Sequence, residues 1–188
     1  MMARTRIRRL TRSGMLASLI AAYACLTAVH SQAADLKVGD PAPSFSLEGT
    51  DGKKHDLKDF AGKKVVVLAW FPKAKTPGCT AECKSMRDSS KALKGLNVAY
   101  FTASVDTPEL NKEFATELNL DYPILSDPTS EVAKAYGVVH GERTKPERWT
   151  FYIGEDGKIL AIDKGVKTTT HGADIAAKLK ELGVGEAK

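Results

Sequence analysis

Apolar residues recur along the chain in two rhythms, continuous runs and helical spacing, and the two alternate. "KVVVLAWF" (64–71) and "NVAYFTASV" (97–105) are unbroken apolar runs rich in β-branched residues, which predicts strands covered on both faces. Between them, residues 77–94 take helical spacing, with Cys79, Cys83, Met86 and Leu93 on one stripe and Gly95 as the stop. "TPELNKEFATELNL" (107–120) opens with a Thr-Pro helix start and carries Leu110, Phe114 and Leu118 on one side. "YPILSD" reads as a short strand and "TSEVAKAYG" as a short helix. "RWTFYIGEDGKILAID" (148–163) reads as two strands around an Asp-Gly turn. Residues 172–183 close the chain as an amphipathic helix. Ahead of all this, Phe45 and Leu47 alternate before a Thr50-Asp51-Gly52 turn, a short hairpin signal. Gly137 and Gly157 read as turn formers. The alternation predicts an α/β fold in which helices flank a mixed central sheet, with a hairpin at its N-terminal end.

The first 33 residues obey a different pattern. Arg4, Arg6, Arg8, Arg9 and Arg12 precede the apolar stretch "MLASLIAAYACLTAV", and small residues Ser31 and Ala33 follow. A basic start, a short apolar segment and a small-residue cleavage site are those of a secretory signal, so residues 1–33 are set apart and 34–188 are taken as one domain. An uncleaved N-terminal anchor is the alternative. On the first reading the mature protein is periplasmic or secreted, with no stable membrane insertion. Charge then changes meaning. The chain of 188 residues has 28 Lys and Arg against 23 Asp and Glu, a net +5. Taking the five arginines from the 28 leaves 23 against 23, a neutral body without the basic excess that nucleic-acid binding needs.

Cleavage would also remove Cys25 and leave the pair Cys79 and Cys83. A disulfide closing so short a loop would stabilise little, because the effect grows with loop length, so the pair is read as reactive. Thr76 before Pro77 fits an N-cap followed by proline at the first helical position. Cys79 then falls in the first turn, where free N–H groups and the helix dipole favour an anion, and the thiolate is the nucleophile. A free thiol is a few per cent ionised at neutral pH, so complete ionisation gains at most about thirtyfold. Faster chemistry requires groups that position a substrate and stabilise charge as it develops.

Pro72, Thr76 and Cys79 form P-x-x-x-T-x-x-C, the active-site pattern of peroxiredoxins. "TPGCT", a nearby second cysteine and "RD" resemble the bacterioferritin-comigratory-protein, or peroxiredoxin Q, branch. "VGDPAPSF", "DGK", "GKKVVVLAWFPK", "SDPTSEVAKAYGV" and "RWTFYIGEDGKI" are similar to that branch in the same order. The resemblance implies a thioredoxin-like fold and a thiol-dependent peroxidase acting on hydrogen peroxide and organic hydroperoxides. It implies Cys79 as the peroxidatic cysteine, Thr76 as a hydrogen-bond partner of the peroxide, and Arg148 as the group that orients thiolate and peroxide. Electrons would come from a thioredoxin-like reductant. No metal or organic cofactor is implied, since sulfur carries the redox change.

Two departures qualify the match. The branch's second cysteine usually lies five residues after the first, whereas Cys83 lies four after. Lys75 stands where an aromatic or small residue is expected. Cys83 is read as the resolving thiol, with a small buried core residue as the alternative. Cβ atoms at i and i+4 of a helix are about 5–6 Å apart, against about 3.5–4.5 Å in a disulfide, so bonding requires the first helical turn to open.

Other residues take plainer readings. Arg148 could pair with Glu147 or Asp156 on the surface, and Arg87 with Asp88. Trp70 and Phe71 read as core and pocket wall. His55, His140 and His171 read as solvated loop residues. A competing function is a Sco-type copper chaperone, since C-x-x-x-C with a distant histidine such as His171 could suit Cu(I). Against it, "TKPERW" lacks that family's histidine and puts Arg148 near the thiols. A general thiol–disulfide oxidoreductase would require C-x-x-C, which the chain lacks.

Overall fold

The computed structural model describes residues 35–187. The signal segment, its cleavage site and Cys25 lie outside the described residues. The strands are β1 (Ser46–Gly49), β2 (Lys54–Asp56), β3 (Val65–Trp70), β4 (Val98–Ser104), β5 (Ile124–Ser126), β6 (Thr150–Ile153) and β7 (Ile159–Asp163). The helices are α1 (Pro77–Asp88), α2 (Ser90–Lys94), α3 (Pro108–Glu117), α4 (Glu131–Ala135) and α5 (His171–Glu181). One seven-stranded sheet runs in the order β2-β1-β5-β4-β3-β6-β7. Its centre, β5-β4-β3, is parallel; β1 joins β5 antiparallel, and β6 joins β3 antiparallel. This is the mixed sheet with an N-terminal hairpin that the sequence predicts.

Every residue of β3 is buried. Successive side chains point to opposite faces, so β3 supplies two cores at once. Val66, Leu68 and Trp70 pack with Phe101, Tyr136, Phe151 and Ile153 on one face. Val65, Val67 and Ala69 pack with Met86, Leu93, Ile175 and Leu179 on the other. Each such aliphatic side chain, fully buried, stabilises by about 1.5–3 kcal/mol.

Three local features differ from expectation. The predicted helix 77–94 breaks at Ser89, which has φ −95° and ψ 4°. A Ser-Ser pair is a poor helix interior, and α5 presses on the chain at this point. Leu57–Phe60 adds a 3-10 turn with no buried residue and hence no apolar signal. The last helix begins one residue early, at His171, which is buried rather than solvated.

The antiparallel pairing of β3 with β6 places the site. Ala69 lies opposite Thr150, and the Trp70 N–H donates to the Trp149 carbonyl at 2.9 Å. The end of β3, which leads into the cysteine loop, therefore coincides with the start of β6, where Arg148 sits. On the far side of α1, the first turn of α5 lies unusually close. A Cβ on Gly172 would stand 2.3 Å from the Ser85 carbonyl oxygen, and the Gly172 N–H donates to Ser85 Oγ at 3.1 Å.

Gly172→Ala therefore tests this docking. Alanine favours a helix by about 1 kcal/mol over glycine. The atom it meets is backbone, however, and cannot rotate away, so overpacking of about 1–3 kcal/mol should win. Urea unfolding should show a lower midpoint with an unchanged slope; an unchanged or raised midpoint would mean the α1–α5 approach is looser than this.

Candidate active site

The loop from β3 to α1 and the first turn that carries the thiol are tied down at four points. The Ala74 N–H donates to Asp106 Oδ2 at 2.8 Å. Lys75 adopts left-handed backbone, φ 62°, and its Nζ lies 2.7 Å from both Glu113 and Glu117 of α3. This unexpected lysine is thus a strap onto the neighbouring helix, and its two carboxylate partners raise its pKa. The Thr76 hydroxyl donates to the Lys73 carbonyl at 3.0 Å. The Thr80 N–H donates to the Thr76 carbonyl at 2.9 Å.

Thr76 occupies the N-cap position with extended backbone, and Pro77 is the first helical residue, as the sequence predicts. The hydroxyl makes no capping bond to α1; it donates its hydrogen to the Lys73 carbonyl. This leaves the oxygen's lone pairs as acceptors, the arrangement needed to receive the O–H of a hydroperoxide. Pro72 is half-buried at the start of the same loop.

Cys79 is the third residue of α1 and is fully buried. Its sulfur faces Arg148, whose Nη2 is 3.4 Å from Sγ. The guanidinium lies over the first turn, where a Cβ on Gly78 would stand 3.4 Å from the same nitrogen. Arg148 is not the surface residue that pairing with Glu147 or Asp156 would make it. Glu147 instead meets Arg143 at 3.2 Å, and Asp156 receives the Lys158 N–H. The Nη1 of Arg148 makes an ion pair with Glu82 Oε2, a carboxylate of α1 with no exposed surface.

Glu82 went unread in the sequence, although it carries a signal. It falls three residues after Cys79, on the stripe that α1 buries, and a carboxylate there needs a cation. His171 was misread. Its Nδ1 is 3.1 Å from Glu82 Oε1, and its Nε2 is 2.8 Å from Thr150 Oγ1. Burial pushes its pKa down to about 4, against the opposing pull of Asp163 and Asp174. His55 also departs from the loop reading: it lies in β2, half-buried beside Asp51. His140 is about half exposed near Glu147, as expected. Arg87 pairs with Asp88 at 2.7 Å as read, and also donates to the Leu118 carbonyl. Trp70 and Phe71 are core.

Cys83 lies one turn beyond Cys79 in a small apolar cluster with Phe71, Phe114, Leu118 and Ile124. Both thiols are free. Burial pushes the Cys83 thiol up to about 12, offset only in part by the neighbouring Tyr122 and Thr102 hydroxyls. The Tyr122 hydroxyl donates to the Cys83 carbonyl at 3.1 Å. In the closed fold Cys83 is thus a neutral core thiol, with its sulfur withheld from reaction.

Comparison with known proteins agrees with this architecture. Residues 38–162 match the AhpC/TSA family. Peroxiredoxin Bcp of Escherichia coli K12 is 38% identical over 153 residues, which is 78% of this chain and 97% of that protein. The crystal structure of peroxidoxin BcpB from Mycobacterium tuberculosis superposes with a TM-score of 0.70 at 33% identity, covering 78% of this chain and 97% of that one. Peroxiredoxin Q of Xanthomonas campestris shares the fold at 23% identity, with a TM-score of 0.70 and coverage of 79% and 98%.

The raised pKa of Cys83 has a signed consequence. An unfolded thiol loses its proton near its ordinary 9.0, whereas folded Cys83 holds it to about 12. Between these values the unfolded state binds fewer protons, so stability falls as pH rises. Replacing Cys83 with Ala should flatten this fall between pH 9 and 12. At pH 8, iodoacetamide should label Cys83 far more slowly in the reduced native protein than in urea; equal rates would refute its withdrawal into the core.

Proposed function

The chain belongs to the AhpC/TSA family, on the Bcp/PrxQ-like peroxiredoxin branch, and from that premise we propose that Cys79 is the peroxidatic thiol of this thiol-dependent peroxidase. The observation that carries the assignment is the Arg148 guanidinium 3.4 Å from a cysteine sulfur in the first turn of a helix. A fixed positive charge and free N–H groups meet at one sulfur.

The reaction follows from the geometry. The Cys79 thiolate attacks the terminal oxygen of ROOH. A sulfur–oxygen bond forms, the O–O bond breaks, and its electron pair leaves on RO⁻, which takes a proton to become ROH. Cys79 is left as sulfenic acid. Thr76 accepts the O–H of the incoming peroxide and lines it up, while Arg148 balances negative charge as it passes from sulfur to oxygen.

Cys83 then resolves. Its thiol condenses with the sulfenic acid, releasing water and forming the Cys79–Cys83 disulfide, which a thioredoxin-type dithiol reduces. The helical separation is too long for this bond, so the first turn of α1 opens. Opening also brings Cys83 out of the apolar cluster that holds its thiol neutral. The four ties on the loop and first turn are what must loosen.

A copper-chaperone role finds no support here. His171 directs both nitrogens at Glu82 and Thr150, and the charge nearest Cys79 is the Arg148 cation. The peroxiredoxin relatives point the same way. We also read residues 1–33 as a secretory signal and the mature enzyme as periplasmic or secreted, on the strength of the basic start, the apolar stretch and the small residues at 31 and 33. Among the described residues, no helix is long and apolar enough to cross a membrane.

With dithiothreitol as donor, residues 34–188 should reduce hydrogen peroxide or a small organic hydroperoxide, and Cys79→Ser should abolish turnover. One equivalent of peroxide should remove two mass units and block two thiols, while Cys83→Ser should stop at sulfenic acid and over-oxidise. Wild-type turnover no faster than that of Cys79→Ser would exclude the peroxidase; sulfenic acid accumulating in wild type would exclude resolution by Cys83. Arg148→Met should slow the peroxide step by more than the roughly thirtyfold that thiolate fraction can explain. A rate that fell only in step with the measured Cys79 ionisation would remove Arg148 from O–O cleavage.

A further inference from the structure

His171 is 1% exposed and lies between α1 and β6, ahead of any contact with solvent. Its Nε2 is 2.8 Å from Thr150 Oγ1 and its Nδ1 is 3.1 Å from Glu82 Oε1. The second contact is out of line for a full hydrogen bond, so neither Nδ1 nor Oε1 has a hydrogen-bond partner; each is the other's near neighbour. The other oxygen of Glu82 holds Nη1 of Arg148, whose Nη2 lies 3.4 Å from Cys79 Sγ. Thr150, His171, Glu82, Arg148 and Cys79 thus form one polar chain from the sheet to the sulfur.

The chemistry of each group assigns the hydrogens. An ionised carboxylate only accepts, so Nδ1 must present its hydrogen to Glu82. A neutral ring then leaves Nε2 as an acceptor, and the Thr150 hydroxyl turns to donate. Burial keeps the ring neutral at neutral pH. Neutrality suits the position. A second cation against Glu82 would compete with Arg148 for the same charge, whereas a neutral donor fixes the carboxylate and leaves the ion pair intact. The α5 helix brings the ring here because Gly172 lets its first turn sit against the α1 backbone.

We propose that His171 is a positioning residue for the peroxide reaction: its Nδ1, 3.1 Å from Oε1, restrains the Glu82 carboxylate by an electrostatic contact, and through it Arg148, in the orientation that serves the Cys79 sulfur. This rests on the peroxidase reading above. Without the imidazole, Oε1 loses its Nδ1 neighbour, the carboxylate can turn, and Arg148 loses the reference that aims it.

Asparagine and glutamine separate this role from mere filling of space. The amide of Asn at 171 would stand in for Nδ1–H and reach Glu82; that of Gln would stand in for Nε2 and reach Thr150. In single-turnover mixing with hydrogen peroxide, His171→Gln and His171→Phe should lower the second-order constant by about ten- to a hundredfold, the scale of a small misplacement. His171→Asn should stay within about threefold of wild type. The constant for the reductant should stay within about twofold in all three. Joined to Glu82→Gln, His171→Phe should add little, since both act through one carboxylate. Equal constants for Asn and Gln, or a folded Phe variant within about twofold of wild type, would overturn the proposal, and the Asn–Gln comparison decides it even if Phe fails to fold. Wild type no faster than Cys79→Ser would instead overturn the peroxidase reading beneath it.

Discussion

The site hangs on the ion pair between Glu82 and Arg148. Glu82 has no exposed surface, and an unpaired carboxylate there would be among the costliest groups a fold can bury. Removing one partner of such a pair typically costs about 3–5 kcal/mol, a large share of a domain's net stability. The cost fixes geometry. α1 can place Glu82 inward only if Arg148 arrives from the head of β6, and the antiparallel register of β3 with β6 delivers it there. Once the guanidinium is held by Nη1, its Nη2 has one place to go, over the first turn and onto the sulfur.

The same helix must satisfy two opposed demands. In the proposed reaction, attack on a peroxide takes place with the first turn closed and the sulfur under Arg148. A disulfide with Cys83 requires that turn open. The structure distributes its ties accordingly. Glu82, Cys83 and Met86 root the middle of α1 in buried contacts. The first turn and its loop are held by lighter links: a threonine hydroxyl, one aspartate acceptor and a lysine strap at the surface. Exposed ion pairs such as the Lys75 strap, screened by water, add little stability. Opening the front of the helix is therefore far cheaper than uprooting its centre.

How much of this was legible in the sequence depends on whether the signal was local. Strand runs, helix stripes and the Asp-Gly hairpin were legible because each element buries its own apolar residues at a fixed period. Cys79 and Thr76 were singled out through the motif and Arg148 through the resemblance around "RWTF", and the structure brings Arg148 onto the Cys79 sulfur. Glu82 was missed although it stood on the same stripe as the cysteines, because a buried charge declares itself only through a partner, here 66 residues away. His171 was missed for a related reason. "TTTHGAD" is a polar stretch, and nothing within it announces that Gly172 brings the helix start against a backbone carbonyl. Lys75 looked like a departure from pattern until α3 was seen to offer two carboxylates to it.

Charge balance explains why these particular groups share one interior. Arg148 and Glu82 cancel, so the pair by itself adds no net charge to a buried site. The thiolate then brings one negative charge, met by the near end of the guanidinium and the positive end of α1. Had Glu82 been absent, a lone guanidinium would hold the thiolate harder but would itself be unmet in the thiol form. Had His171 been cationic, the interior would carry an excess positive charge, and Glu82 would divide its attraction between two partners. A neutral imidazole avoids both outcomes. It leaves Arg148 anchored yet able to shift its attraction from sulfur to the departing oxygen. On the proposed reaction, O–O cleavage would depend on that freedom more than on a permanently ionised cysteine, since ionisation alone is bounded by the few per cent of thiolate already present at neutral pH.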